Sequence, residues 1–264
     1  MGVVRAVSET RASRGVQGFY QHDSEACGGP MRFSVYMPDG VKDPPVVYYL
    51  AGLTCTEETF PIKAGARPAA DELGLALVCC DTSPRAARNP GDDEAWDFGL
   101  GAGFYVDATE APWSATYRMH SYVARELPAL IEAHFPVRKG IRGIFGHSMG
   151  GHGALVAALR NPGVFASVSA LAPIAAPSRC PWGEKAFGRY LGPDRKQWAF
   201  YDATALIDGG ARAPKLLVDQ GLADQFLATQ LLPEALEDAC ERAGQPLTLR
   251  RHAGYDHSYY FVST

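Results

Sequence analysis

Seven short apolar runs, rich in β-branched and aromatic residues, recur along the chain: "MRFSVYM" (31–37), "PVVYYL" (45–50), "GLALVCC" (74–80), "GIRGIFG" (140–146), "FASVSAL" (165–171), "PKLLVD" (214–219) and "PLTLRR" (246–251). Between them, apolar residues fall at helical spacing near 62–73, 116–134, 150–160 and 226–243. Continuous apolar strands alternating with helices are the pattern of a largely parallel sheet covered on both faces. The chain therefore reads as α/β, a doubly wound sheet in one domain over 1–264. No helix pattern separates 31–37 from 45–50, so the first one or two strands are expected to pair antiparallel. Residues 1–16 are expected to be a flexible start.

Two segments break the rhythm. Residues 81–115 and 172–213 are rich in Pro, Gly, Trp and Tyr and show no long periodic pattern. Both follow the carboxyl ends of predicted strands, where open α/β sheets bind ligands. They are expected to wall a pocket.

Composition narrows the function classes. Of 264 residues, 47% are hydrophobic and 20% charged, which supports a sizeable core rather than disorder. The formal net charge is −4 and no Lys/Arg run occurs, so neither nucleic acid nor an anionic membrane is indicated as a partner. The start, "MGVVRAVSETRASRG", is charged and has no apolar core, unlike a signal peptide. No stretch approaches the length of apolar residues needed to span a bilayer. The six cysteines (Cys27, Cys55, Cys79, Cys80, Cys180, Cys240) are scattered without a CxxC. That spacing suits neither zinc nor a disulfide scaffold, and it favours a reducing, cytoplasmic setting.

One stretch carries chemistry. Gly146-His147-Ser148-Met149-Gly150 is a G-x-S-x-G match that follows a predicted strand and opens a predicted helix, as a nucleophile elbow requires. The turn is so tight that side chains at 146 and 150 would clash, hence the glycines. The helix start directs free N–H groups and a positive dipole end toward Ser148, which favours an oxyanion. No phosphate-cradling G-x-x-x-x-G-K-[ST] occurs, and "GLGAGF" (99–104) matches only part of a dinucleotide fingerprint.

A serine nucleophile needs a base. Successive side chains at a strand end point to opposite sides, so His147 is expected to face away from Ser148 Oγ. His152 lies in the first helical turn below the elbow and is expected to be structural. In this chain order, Ser then acid then His, the candidates for the base are His252 and His257. His252 adjoins the strand 246–251, whereas His257, in "GYDHSYYF", lies in a loop beyond it and is preferred. For the acid, Asp219 is on or beside its strand and Asp224 is farther out in "DQGLADQF"; Asp224 is the better orienter of an imidazole. Asp256 is read as loop structure.

With these residues in place, the sequence resembles the S-formylglutathione hydrolase (esterase D) family of serine hydrolases. The resemblance runs through "GFYQHDS", "AGLTCTEETFPIKAGA", "CCDTSPR", "WDFGLGAGFYVDAT", "GHSMGGHGALVAAL", "APIAAPSRCPWGEKAFGRYLG", "DQGLADQFL" and "GYDHSYYF", covering roughly 17–261. It implies an α/β-hydrolase domain, a triad of Ser148, Asp224 and His257, and an oxyanion hole from the backbone N–H groups of Leu53 and Met149. It also implies a near-site thiol at Cys55, hydrolysis of S-formylglutathione in formaldehyde detoxification, no metal or organic cofactor, and a frequent homodimer. The alternative is a broad carboxylesterase of the same fold. The chain departs from the family at both ends: "SETRASRG" replaces its usual Cys-Phe-Gly-Gly stretch, and the chain stops at Thr264, short of its final helix. For the two carboxylates of the glutathione moiety, Lys63, Arg85 and Lys185 are the candidate cations. Trp96, Tyr105 and Trp182 are the candidate apolar walls.

Overall fold

The computed structural model describes residues 2–264. Nine strands form one sheet: β1 (Arg5–Ala12), β2 (Gly15–Ser24), β3 (Gly29–Pro38), β4 (Val46–Leu50), β5 (Ala76–Cys80), β6 (Arg142–His147), β7 (Ser167–Leu171), β8 (Leu216–Gly221) and β9 (Leu247–His252). Their spatial order is β1-β2-β3-β5-β4-β6-β7-β8-β9. From β5 to β9 every neighbouring pair is parallel, while β1 is antiparallel to β2, β2 to β3 and β3 to β5. The segment 31–37 is thus antiparallel as expected, but its partners are β2 and β5 rather than the next strand in sequence. The segment 45–50 lies in the parallel part, between β5 and β6.

Among the described residues ten short or medium α-helices connect or follow the strands: α1 (Thr59–Lys63), α2 (Arg67–Leu73), α3 (Met119–Ser121), α4 (Leu127–His134), α5 (Met149–Arg160), α6 (Pro181–Tyr190), α7 (Arg195–Trp198), α8 (Ala203–Asp208), α9 (Pro233–Ala243) and α10 (Tyr259–Val262). The helical pattern at 62–73 is split, because Gly65 sits at φ +62° between α1 and α2. That at 226–243 is interrupted at Leu232, which takes φ +50° between a π-turn (Leu227–Leu231) and α9. Among the described residues no helix is long and apolar enough to cross a membrane.

The opening residues are not a loose tail. β1 and β2 form a hairpin whose outer strand is exposed along nearly its whole length. A strand with no buried face shows no alternation, so periodicity alone does not reveal it. β2, by contrast, alternates toward the core and buries Tyr20 against Phe33 and Phe135.

The parallel pairing puts the ends of β4, β6, β8 and β9 at one margin of the sheet. The two irregular segments fold over that margin and lock together. Phe98 stacks on Tyr190 at 4.5 Å, and the Tyr190 hydroxyl donates to the Ala102 carbonyl at 3.0 Å.

Candidate active site

Four loops meet above the sheet. The loop after β4 brings Gly52, Leu53 and Cys55; the β6–α5 turn brings Ser148; the loop after β8 brings Asp224 and Phe226; the loop after β9 brings His257 and Tyr259. Three bonds pin the first loop. Tyr105 donates its hydroxyl to the Ala51 carbonyl (2.9 Å), Thr54 N–H donates to Gly101 O (2.8 Å) and the Thr82 hydroxyl donates to Cys55 O (2.6 Å).

The elbow is strained where the motif requires it. Ser148 takes φ 58° and ψ −121°, a conformation that L-residues seldom adopt and that survives only when the surroundings over-determine it. Those surroundings leave no room for side chains nearby. A Cβ at Gly146 would lie 2.2 Å from the Gly150 carbonyl oxygen, and one at Gly150 would lie 1.9 Å from the Leu50 carbonyl oxygen. The Ser148 N–H donates to Leu171 O at 2.9 Å, tying the turn to β7. Met149 is the first residue of α5, a helix of 12 residues that is buried along its length except at Arg160.

Ser148 Oγ lies 2.9 Å from His257 Nε2, and His257 Nδ1 lies 2.5 Å from Asp224 Oδ2. The Asp224 side chain is 0% exposed and that of His257 12%. The other carboxylate oxygen, Oδ1, accepts from the Phe226 N–H at 2.8 Å. The loop of Asp224 is held to the loop of His257 through Ala223 N–H, which donates to Tyr255 O at 2.9 Å. Their approach is close enough that a Cβ at Gly221 would sit 2.4 Å from that same carbonyl oxygen, which explains the glycine in "DQGLADQ".

The rejected histidines have distinct fates. His152 is fully buried and its Nε2 bonds the Phe104 carbonyl at 2.9 Å, a structural role as expected. His147 makes no hydrogen bond to Ser148, yet it does not leave the site. Its ring lies against His257, with centroids 4.6 Å apart, and Tyr259 packs edge-on beside it. Burial, reinforced by the charge of His257, pushes His147 down to about 3, so it stays neutral beneath the other imidazole. His252 bonds Asp219 at 2.7 Å, where Arg250 also forks onto the carboxylate. Asp256 accepts from the Ser258 N–H at 2.9 Å, a loop turn as read from the sequence.

A cavity of about 240 Å³ opens over Ser148, lined among others by Leu53, Cys55, Lys63, Trp96 and Trp182. Trp96 comes from the first irregular segment and Trp182 from the second, and they meet edge to face at 5.7 Å. Three residues expected there lie elsewhere. Arg85 turns to the far side of the Leu53 loop, donating to Asp81 (2.9 Å) and to the Cys55 carbonyl (3.0 Å). Tyr105 is wholly buried beneath that loop and against Gly153. Lys185 is engaged by Asp97. Each has a protein partner that satisfies it, and spacing along the chain does not disclose such partners. Phe226 and Tyr259 are wall residues that sequence reasoning missed. Their positions, two residues after Asp224 and two after His257, were the available signal.

Comparison with known proteins identifies the family. The Esterase family model, described as "Putative esterase", matches residues 24–264. The S-formylglutathione hydrolase of Mus musculus is 50% identical over 99% of this chain and 94% of its own length. That of Paracoccus denitrificans is 50% identical over 98% of this chain and 92% of its own. The solved structure of an S-formylglutathione hydrolase from Agrobacterium tumefaciens superimposes with a TM-score of 0.95 at 51% identity, covering 98% of this chain and 94% of that one.

Proposed function

The chain belongs to the S-formylglutathione hydrolase family of esterases, and from that membership we propose that it hydrolyses S-formylglutathione to glutathione and formate with Ser148, His257 and Asp224 as its catalytic triad. The observation that carries the residue roles is the unbroken chain Ser148 Oγ–His257–Asp224, at 2.9 and 2.5 Å.

In this mechanism His257 Nε2 takes the Ser148 proton as Oγ attacks the formyl carbon. Asp224 holds Nδ1 protonated and stabilises the imidazolium that forms. The carbonyl oxygen becomes an oxyanion facing the N–H groups of Leu53 and Met149, the latter at the positive end of α5. The C–S bond breaks as the glutathione sulfur takes the His257 proton, and a formyl group remains on Ser148. Water then gives a proton to His257 and its oxygen to the formyl carbon. Formic acid departs as the His257 proton returns to Ser148 Oγ, and it ionises to formate in water. Trp96, Trp182 and Phe226 narrow the space above the serine, which suits the smallest acyl group. His147, neutral and packed on His257, supports the imidazole without competing for the proton. The scattered cysteines favour a reducing compartment, and on that ground we place the enzyme in the cytoplasm.

The decisive measurement compares kcat/KM for S-formylglutathione with that for p-nitrophenyl acetate. The thioester is expected to be the better substrate, and a preference for the ester would instead assign a broad carboxylesterase. Ser148→Ala should abolish both activities; retained turnover would remove the serine from the mechanism.

A further inference from the structure

At about 240 Å³ the cavity over Ser148 falls below the ~300–1,000 Å³ of sites that enclose ligands of drug size. A tripeptide thioester with its formyl carbon at Ser148 therefore extends beyond it. The direction is set by what adjoins. A second hollow of about 590 Å³, lined by Lys63, Ser258, Tyr259, Tyr260 and Ser263, shares Lys63, Ser258 and Tyr259 with the first.

The leaving thiol carries two carboxylates, so its path depends on a cation free to meet one. Arg85 is committed to Asp81 and to backbone carbonyls, and Lys185 to Asp97. Lys63 differs from both. Among the described residues its ammonium has no carboxylate partner and no hydrogen bond, and it stands 5.6 Å from the centroid of the Tyr259 ring. It ends α1, exposed, at the boundary of the two hollows. A cation over an aromatic face keeps its charge while its stem is held in place.

We propose that the hollow beside α10 receives the peptide part of the leaving thiol and that Lys63 pairs with one of its carboxylates, making Lys63 the residue that selects anionic thiol carriers. This rests on the reaction assigned above and adds the place where its selectivity arises. Tyr259 also packs on His147, which packs on His257, so the same short segment floors the hollow and backs the catalytic imidazole.

The test uses two formyl thioesters that differ in charge: S-formylglutathione and the neutral S-formyl-N-acetylcysteamine. In Lys63→Ala, KM for S-formylglutathione should rise about ten-fold, the scale of one lost charge-assisted hydrogen bond, and the preference over the neutral thioester should fall by a similar factor. Lys63→Arg should restore most of that preference, because charge rather than shape carries the interaction. In the unaltered protein the preference should decline as salt is added, and in Lys63→Ala it should not. An unchanged preference in Lys63→Ala, with the unaltered protein still turning over S-formylglutathione, overturns the subsite alone. No turnover of S-formylglutathione by the unaltered protein overturns the function and the subsite with it.

Discussion

Two histidine–carboxylate pairs stand in line, one on β8 and β9 and one in the loops that follow them, and only the second reaches Ser148. Asp219 and His252 lie on the strands themselves, 2.7 Å apart. Asp224 and His257 lie five residues farther along each chain segment, 2.5 Å apart, in loops that rise above the sheet. The inner pair is more solvated: the His252 side chain is 35% exposed and that of Asp219 9%, against 12% and 0% for the triad pair. Arg250 also neutralises Asp219, with two contacts at 2.6 Å. An Asp–His contact thus has no catalytic meaning by itself. What separates the two is reach to Ser148 Oγ, and that reach is supplied by the loops.

The largest expected effect breaks the symmetry outright. His257→Ala should lower kcat by about 10⁵–10⁶, as loss of a triad base does elsewhere, while His252→Ala should stay within about three-fold of the unaltered enzyme. Equal losses in steady-state assays would mean that the two pairs act together.

The carboxylates should divide in the same way. Asp224→Asn is expected to cost about 10⁴ in kcat by permitting the wrong tautomer of His257. Asp219→Asn should leave kcat near its original value and cost about 1–2 kcal/mol of stability, read from urea unfolding, because it strips charge from a forked contact. A catalytic collapse in Asp219→Asn would place that residue in the working site.

A smaller contrast concerns acid. Burial pushes His120 and His147 down to about 3 and His152 to about 4, whereas an unfolded histidine titrates near 6.5. Below about pH 6.5 the unfolded chain therefore binds more protons than the folded one, so stability falls as pH drops toward 4, by about 1.4 kcal/mol per pH unit for each such histidine. Asp219 works in a lower window. Burial alone would raise its pKa, but the bonds from Arg250 and His252 outweigh that and hold it below the usual carboxylate range. Its stabilisation is present above about pH 4 and is lost only as pH falls through that lowered value. Unfolding midpoints at about pH 7 and pH 5 should differ clearly, and His147→Gln should narrow the gap. An unchanged gap in His147→Gln would show that this ring is not held neutral by the fold.

Much of this arrangement is legible in the sequence because its causes are local. The central parallel strands β4, β5, β6 and β8 are mostly buried, so their runs are largely apolar, and Gly146 and Gly150 record a clash that admits no alternative. The triad order is written in the chain as well. What was hidden depends on distant partners. Nothing near Arg85 or Lys185 announces Asp81 or Asp97 as the group that occupies it, and nothing in "VSETRAS" signals a strand whose side chains all face water. The packing of His147 on His257 was equally hidden, because an alternation rule orients a side chain within its strand and says nothing of a distant loop.

The position of β9 carries a last consequence. It is the edge of the sheet, paired only with β8 and partly exposed along its length, and the loop that it launches bears His257. Edge elements with few buried contacts open sub-globally before a protein's centre does, as slow amide exchange resolves in native proteins. In the proposed roles the nucleophile belongs to the sheet's interior and the base to its rim, so activity should report on a rim element rather than on the whole fold. Warming such a protein would silence it while most of its amides were still protected.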